Sequence, residues 1–223
     1  LSLSASRLEL LARCPYGYFL KYILQVEAPE EIERDPSRWL DPLERGSALH
    51  EILYEFMKGV TKRKERVDRA RHSPLMNEIA SRIISRRKAD VPPPSERVFE
   101  KERKDMEKAL EIFLNHEEKL PLGVEPLEFE KPFDGVLMNL GRGRSFALCG
   151  FIDRIDRTGP GTYKIVDYKT GSYASYEDLV QFGRGRIIQH ALYAVAAEEI
   201  LRREGKDSAP HVVESGYYFP THK

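Results

Sequence analysis

The chain has 223 residues, 41% hydrophobic and 32% charged, enough for a sizeable core beneath a highly charged surface. Lysine plus arginine equals aspartate plus glutamate at 36 each. That balance excludes a protein holding nucleic acid by bulk charge alone, though not one with a local basic groove. No run approaches the ~18 apolar residues that cross a bilayer, nothing at the start resembles a secretory signal, and two cysteines make no disulfide framework, so a reducing cytoplasm with no membrane partner is expected.

The sequence starts at Leu1 rather than methionine, which raises the expectation of further polypeptide at either end. In "LSLSASRLELLARCPYGYFLKYIL", Ser4 or Ser6 is placed to cap a helix running through Leu8 and Leu11 that Pro15 breaks or restarts. A Pro/Glu/Asp-rich loop spans about 27–42. "LERGSALHEILYEFMKGV" then reads as a helix burying Leu49, Ile52, Leu53 and Phe56, with His50 and Tyr54 along one edge. From 61 to 120 the pattern is charged and helical, cut into about three segments at Pro74 and "VPPP" (91–94). "TKRKERVDRARH" within it reads as a solvated helix face or a track for DNA.

From Pro121 the character changes. "EPLEFEKPFDGVLMNL", "RSFALCGFIDRIDRT" and "TYKIVDYKTG" read as three strands joined by glycine turns at 141–143 and 159–161. "RIIQHALYAVAAEEILRRE" is a helix by its Ile188, Leu192, Val195 and Ile200 spacing, and "HVVESGYYFP" a last strand. The order predicts an α/β fold with a helical insertion before the sheet.

The chemistry concentrates in "GFIDRID" and "IVDYKTGS". Residues i and i+2 of a strand share a face, so Asp167 and Lys169 project together, and Asp153 joins Phe151 and Ile155. A buried acid needs a partner; Asp156, on the other face, reads as solvated or structural. A hairpin lets Asp153 and Asp167 come from adjacent strands, where their mutual repulsion favours a divalent cation with oxygen ligands. The plainer reading is a surface ion pair between Asp167 and Lys169.

Together, "GSALH", "GFIDRID", "IVDYKTG" and "QHALY" resemble the RecB-like branch of the PD-(D/E)XK nuclease superfamily, which includes the nuclease domains of RecBCD- and AddAB-type helicase–nucleases and the CRISPR-associated nuclease of spacer acquisition. The resemblance implies a restriction-endonuclease-like core, a central mixed β-sheet flanked by helices, with an N-terminal helical region and a helical insertion. It implies one nuclease domain over 1–223: N-terminal helices with the His50 motif in 1–60, the insertion in 61–120 and the sheet core in 121–223. By the same resemblance His50, Asp153, Asp167 and the Tyr168 carbonyl hold Mg²⁺ or Mn²⁺, and Lys169 is the catalytic lysine. Gln189 and Tyr193 contact DNA or order the lysine and water, and Glu128 corresponds to an acidic position of some members.

Arg184 and Arg186, ahead of the Gln189 helix, are candidates for phosphate contact. Relatives with an iron–sulfur cluster carry a first cysteine in a context like "RCPYGYFLKY" and three more near the C-terminus. Here only Cys14 and Cys149 are present, too few for the four ligands, so no cluster is expected within this chain. The implied function is a metal-dependent DNA exonuclease of repair or recombination, with a helicase subunit or domain outside this chain. The alternative is an inactive nuclease-like DNA-binding or scaffold domain of a repair complex.

Overall fold

The computed structural model describes residues 2–26, 35–171, 182 and 186–220. In chain order these form β1 (Ser2–Ser4), α1 (Ala5–Arg13), α2 (Pro15–Tyr18), a π-helical turn (Phe19–Ile23), α3 (Pro42–Lys62), α4 (Arg69–Asp90), α5 (Glu96–Glu118), β2 (Glu125–Gly141), β3 (Arg144–Gly159), β4 (Thr162–Tyr168), α6 (Gln189–Arg203) and β5 (His211–Tyr218). They fall into two compact units. A sheet unit takes Leu1–Glu31, Glu130–Asp167 and Ser172–Tyr217, and a helical unit takes Ile32–Phe129, Tyr168–Gly171 and Tyr218–Lys223.

The sheet runs in the order β1-β3-β4-β5, with β2 also paired to β3. It is mixed: β1 lies parallel to β3 and β4 antiparallel to it. The predicted glycine turns occur, with Gly141, Gly143 and Gly161 at positive φ. On β3 every residue from Ile152 to Asp156 is buried, so this part of the sheet is covered on both faces. Asp156 is therefore not solvated: at 2% exposure it pairs with the equally buried Arg154, Nε to Oδ1 2.6 Å. Phe151, expected with the apolar face, is instead 61% exposed.

The helical unit is built on starts that its sequence supplies. Asp41 and Glu44 form a reciprocal capping box around Pro42 at the first turn of α3. Asp68 caps α4 and Ser95 caps α5, directly after the proline cluster. Ile52, Phe56 and Met57 of α3 are buried with Met76 and Ile83 of α4 and Met106 and Phe113 of α5. Pro74 does not cut the chain. It lies in the second turn of α4, where a proline removes a single N–H donor, and α4 continues to Asp90. The stretch 61–120 thus holds two long helices after the end of α3.

At the start, Ser4 is the N-cap of α1, accepting from the Arg7 N–H, and Pro15 restarts the helix as α2. The three-residue β1 before it has no sequence signature, being too short for any alternation.

Candidate active site

The hairpin of β3 and β4 aligns the acids. Arg154 is opposite Val166 and Ile155 opposite Ile165, and the same register continued one step sets Asp153 across from Asp167. Directly opposed residues share a face, with Cβ atoms ~4.5–5.5 Å apart. Both acids are buried, Asp153 at 9% and Asp167 at 3% exposure.

A third carboxylate comes from β2: oxygens of Glu130 and Asp153 lie within 4.8 Å of one another. The sequence alone does not single out Glu130. It lies two residues beyond Glu128, the acid that the resemblance suggested, and it carries φ 45 in the middle of a strand. That left-handed backbone is uncommon for glutamate and breaks the period-2 pattern that would have placed it.

β3 is in register with β1 over Ala147–Cys149 and with β4 from Arg154, so Gly150–Asp153 lies between the two paired stretches. Tyr193 of α6 enters there. A Cβ on Gly150 would stand 2.7 Å from the Tyr193 hydroxyl and 3.1 Å from Phe133 Cζ, so the glycine of "GFID" is the space that this tyrosine occupies. Phe133 and Tyr193 meet edge to face at 5.5 Å. Burial pushes the Tyr193 phenol above its ordinary value and the charges of Asp167 and Asp153 push the same way, against hydrogen bonds to the Gln189 side chain and the Phe151 backbone. Gln189 Nε2 donates to Asp167 Oδ1 at 2.8 Å. The Gln189–Tyr193 motif, spaced by one helical turn, is thus hydrogen-bonded to Asp167 and lies within the field of Asp153.

In the helical unit, His50 projects from α3 and its Nε2 is 3.0 Å from the Tyr168 carbonyl oxygen, with the two rings edge-on at 5.9 Å. A Cβ at Gly46, one turn earlier on α3, would stand 3.2 Å from the Thr170 hydroxyl, so "GSALH" needs its glycine to lie close to the end of β4. β4 ends at Tyr168, and Lys169 keeps a strand-like bond, its N–H donating to the Tyr218 carbonyl at 2.9 Å. Tyr168 packs edge-on against Phe113 and Tyr218. Arg186 is exposed at the approach to α6, and Arg184 lies outside the described residues.

Glu130 and Asp153 of the sheet unit offer carboxylate oxygens, the donors that Mg²⁺ or Mn²⁺ prefers. The 3.0 Å between His50 Nε2 and the Tyr168 carbonyl is an ordinary hydrogen-bond length. Elsewhere histidine does structural work: His72, 2% exposed, is bonded through Nε2 to Glu65 at 2.9 Å.

A mixed sheet flanked by helices, with acids on its central hairpin and a helix packed beside it, is the restriction-endonuclease-like fold. Residues 2–223 match the PD-(D/E)XK nuclease superfamily, and the chain belongs to it. Its relatives include an ATP-dependent helicase/deoxyribonuclease subunit from Clostridium perfringens (strain SM101 / Type A), 27% identical over 206 residues that cover 86% of this chain and 17% of that protein. The proteins of the same name from Clostridium kluyveri (strain NBRC 12016) and Clostridioides difficile (strain 630) are 28% and 26% identical, over 77% and 95% of this chain. The chain spans 16–19% of the length of these relatives. No described helix is long and apolar enough to cross a membrane.

Proposed function

We propose that this chain is the nuclease domain of a helicase–nuclease, a Mg²⁺- or Mn²⁺-dependent deoxyribonuclease that cleaves DNA as a cytoplasmic exonuclease of repair or recombination. The observation that carries the reading is the pair of carboxylates from Glu130 and Asp153, within 4.8 Å of one another beside the hairpin whose register leads towards Asp167. The relatives' shared name, which couples a helicase with a deoxyribonuclease, supports DNA as substrate and a helicase as partner.

In this reading Asp153, Asp167, Glu130, His50 and the Tyr168 carbonyl hold the ion. When bound, it would polarise the scissile phosphate and acidify a water. Lys169 holds the attacking water in line with the phosphorus and offsets the negative charge that develops there. Gln189 restrains Asp167 through its side-chain amide, and Tyr193, kept protonated by burial, is hydrogen-bonded to the same Gln189. Arg184 and Arg186 take the flanking phosphates. Hydrolysis leaves a 5′-phosphate and a 3′-hydroxyl.

The test is digestion of end-labelled linear, circular and single-stranded DNA with Mg²⁺, Mn²⁺ or EDTA, on wild type, Asp153→Ala and Lys169→Ala. Metal-dependent loss of label from linear DNA, absent in both variants, is expected. Equal cleavage by Lys169→Ala and wild type refutes the mechanism. DNA binding without cleavage by wild type favours a scaffold.

A further inference from the structure

We infer that Glu9 is a positioning residue for the metal site: its carboxylate caps α6 and so holds Gln189 against Asp167. The inference rests on the metal reading above and adds to it a residue from the opposite end of the chain.

A helix start leaves its first N–H groups without intrahelical acceptors, and a side-chain oxygen at the N-cap usually takes one. α6 has no such cap of its own, because Ile188 stands at that position. Glu9, on α1, takes its place: Oε1 accepts from the Ile188 N–H at 2.8 Å and from the Gln189 N–H at 3.1 Å. Its negative charge also faces the positive end of the helix dipole.

Gln189 is the first residue of α6, and its side chain donates to Asp167 at 2.8 Å. One residue is therefore held at both ends, by Glu9 through the backbone and by Asp167 through the side chain. Removing the cap frees the first turn to fray, and the turn that frays carries the amide which orients a metal ligand. Such outer hydrogen bonds govern how well a carboxylate is pre-set for its ion.

The experiment is a double-mutant cycle read by Mn²⁺ calorimetry without DNA and by ¹⁵N NMR of backbone and side-chain amides. Glu9→Ala should weaken Mn²⁺ binding by about 5-fold, the factor equivalent to one lost cap. Glu9→Gln, whose amide oxygen still accepts, should restore most of it. In a Gln189→Ala background, Glu9→Ala should cost nothing further, whereas a merely structural role would cost the same in both. In metal-free protein, Glu9→Ala should speed exchange at the Ile188 and Gln189 amides and shift the Gln189 side-chain signal. Additive losses, or an unmoved Gln189 side-chain signal, overturn the inference. A wild type that binds no Mn²⁺ overturns the metal reading instead. The two failures are distinguishable, because the amide signals report the Glu9–Gln189–Asp167 contact without metal.

Discussion

Gly150→Ala is the smallest change that reaches the site without touching a proposed ligand. The new methyl would lie 2.7 Å from the Tyr193 hydroxyl, about 0.7 Å inside the 3.4 Å where ordinary contact begins, and 3.1 and 3.2 Å from two Phe133 carbons. Tyr193 is 6% exposed and braced by the Phe133 ring, so it cannot simply swing away. Overpacking of this kind costs ~1–3 kcal/mol, and at ~2–4 °C per kcal/mol for a chain of this size Tm should fall by roughly 2–12 °C. The displaced hydroxyl is the one bonded to Gln189, and sub-ångström misplacement at a reacting centre costs up to ~10²-fold, so cleavage should drop by roughly 10–100-fold. The assay is a four-way comparison of wild type, Gly150→Ala, Tyr193→Phe and the double variant, by thermal unfolding and by nuclease rate. In the double variant the missing oxygen should recover much of the lost Tm but none of the activity. A Gly150→Ala protein with wild-type Tm and rate, or strictly additive Tm losses, refutes the packing account.

Breaking the Arg154–Asp156 pair by Arg154→Met or Asp156→Asn should cost ~3–5 kcal/mol, measured by urea unfolding, because each removes one charge of an ion pair buried at 1–2% exposure. Tyr193 should titrate late. Its phenol is raised in the folded protein, so the linked stability is fully present below the unfolded value of about 10 and is lost as pH rises through the folded one. Tyrosinate absorbance of wild type minus Tyr193→Phe, alongside alkaline unfolding, checks both. Glu130→Gln should weaken Mn²⁺ binding by at least ~10-fold in calorimetry while Glu128→Gln leaves it unchanged, since the Glu130 carboxylate is the one beside Asp153. At the same position Glu130→Gly should be ~1 kcal/mol more stable than Glu130→Ala, because φ 45 strains any residue with a Cβ.

The parts legible in the sequence were those whose signals are local. Alternation and glycine turns delimit β2, β3 and β4, and a tight hairpin leaves little freedom of register between β3 and β4. Ser4 likewise marked the start of α1. What escaped depends on tertiary context. Glu9 meets Ile188 across 179 residues, with no local pattern to announce it. Glu130 was hidden because one left-handed residue shifts which side chains of β2 share a face. Asp156 read as solvated or structural, and burial decides for structural, because a strand pattern says which face a residue is on, not whether that face is covered. Pro74 misled because the cost of a helix proline depends on depth, and near the start one lost bond is tolerable.

The site breaks several rules that the rest of the chain obeys. A glutamate holds a left-handed backbone, two opposed aspartates are buried, and a strand gives up a side chain at Gly150 to admit a tyrosine. Each is unfavourable in isolation: strained backbone costs on the order of 1–3 kcal/mol, and gathered carboxylates repel. Such departures persist where the surroundings over-determine them, and here the surroundings are specific. The antiparallel register of β3 and β4 leads up to Asp153 and Asp167, Gln189 restrains the latter, and α6 is fastened in turn by Glu9. A divalent cation, as proposed, is the simplest group that would remove the repulsion in one step. Local disagreement with folding preferences, concentrated within one hairpin and the helix beside it, is what separates this arrangement from a chance cluster of acids.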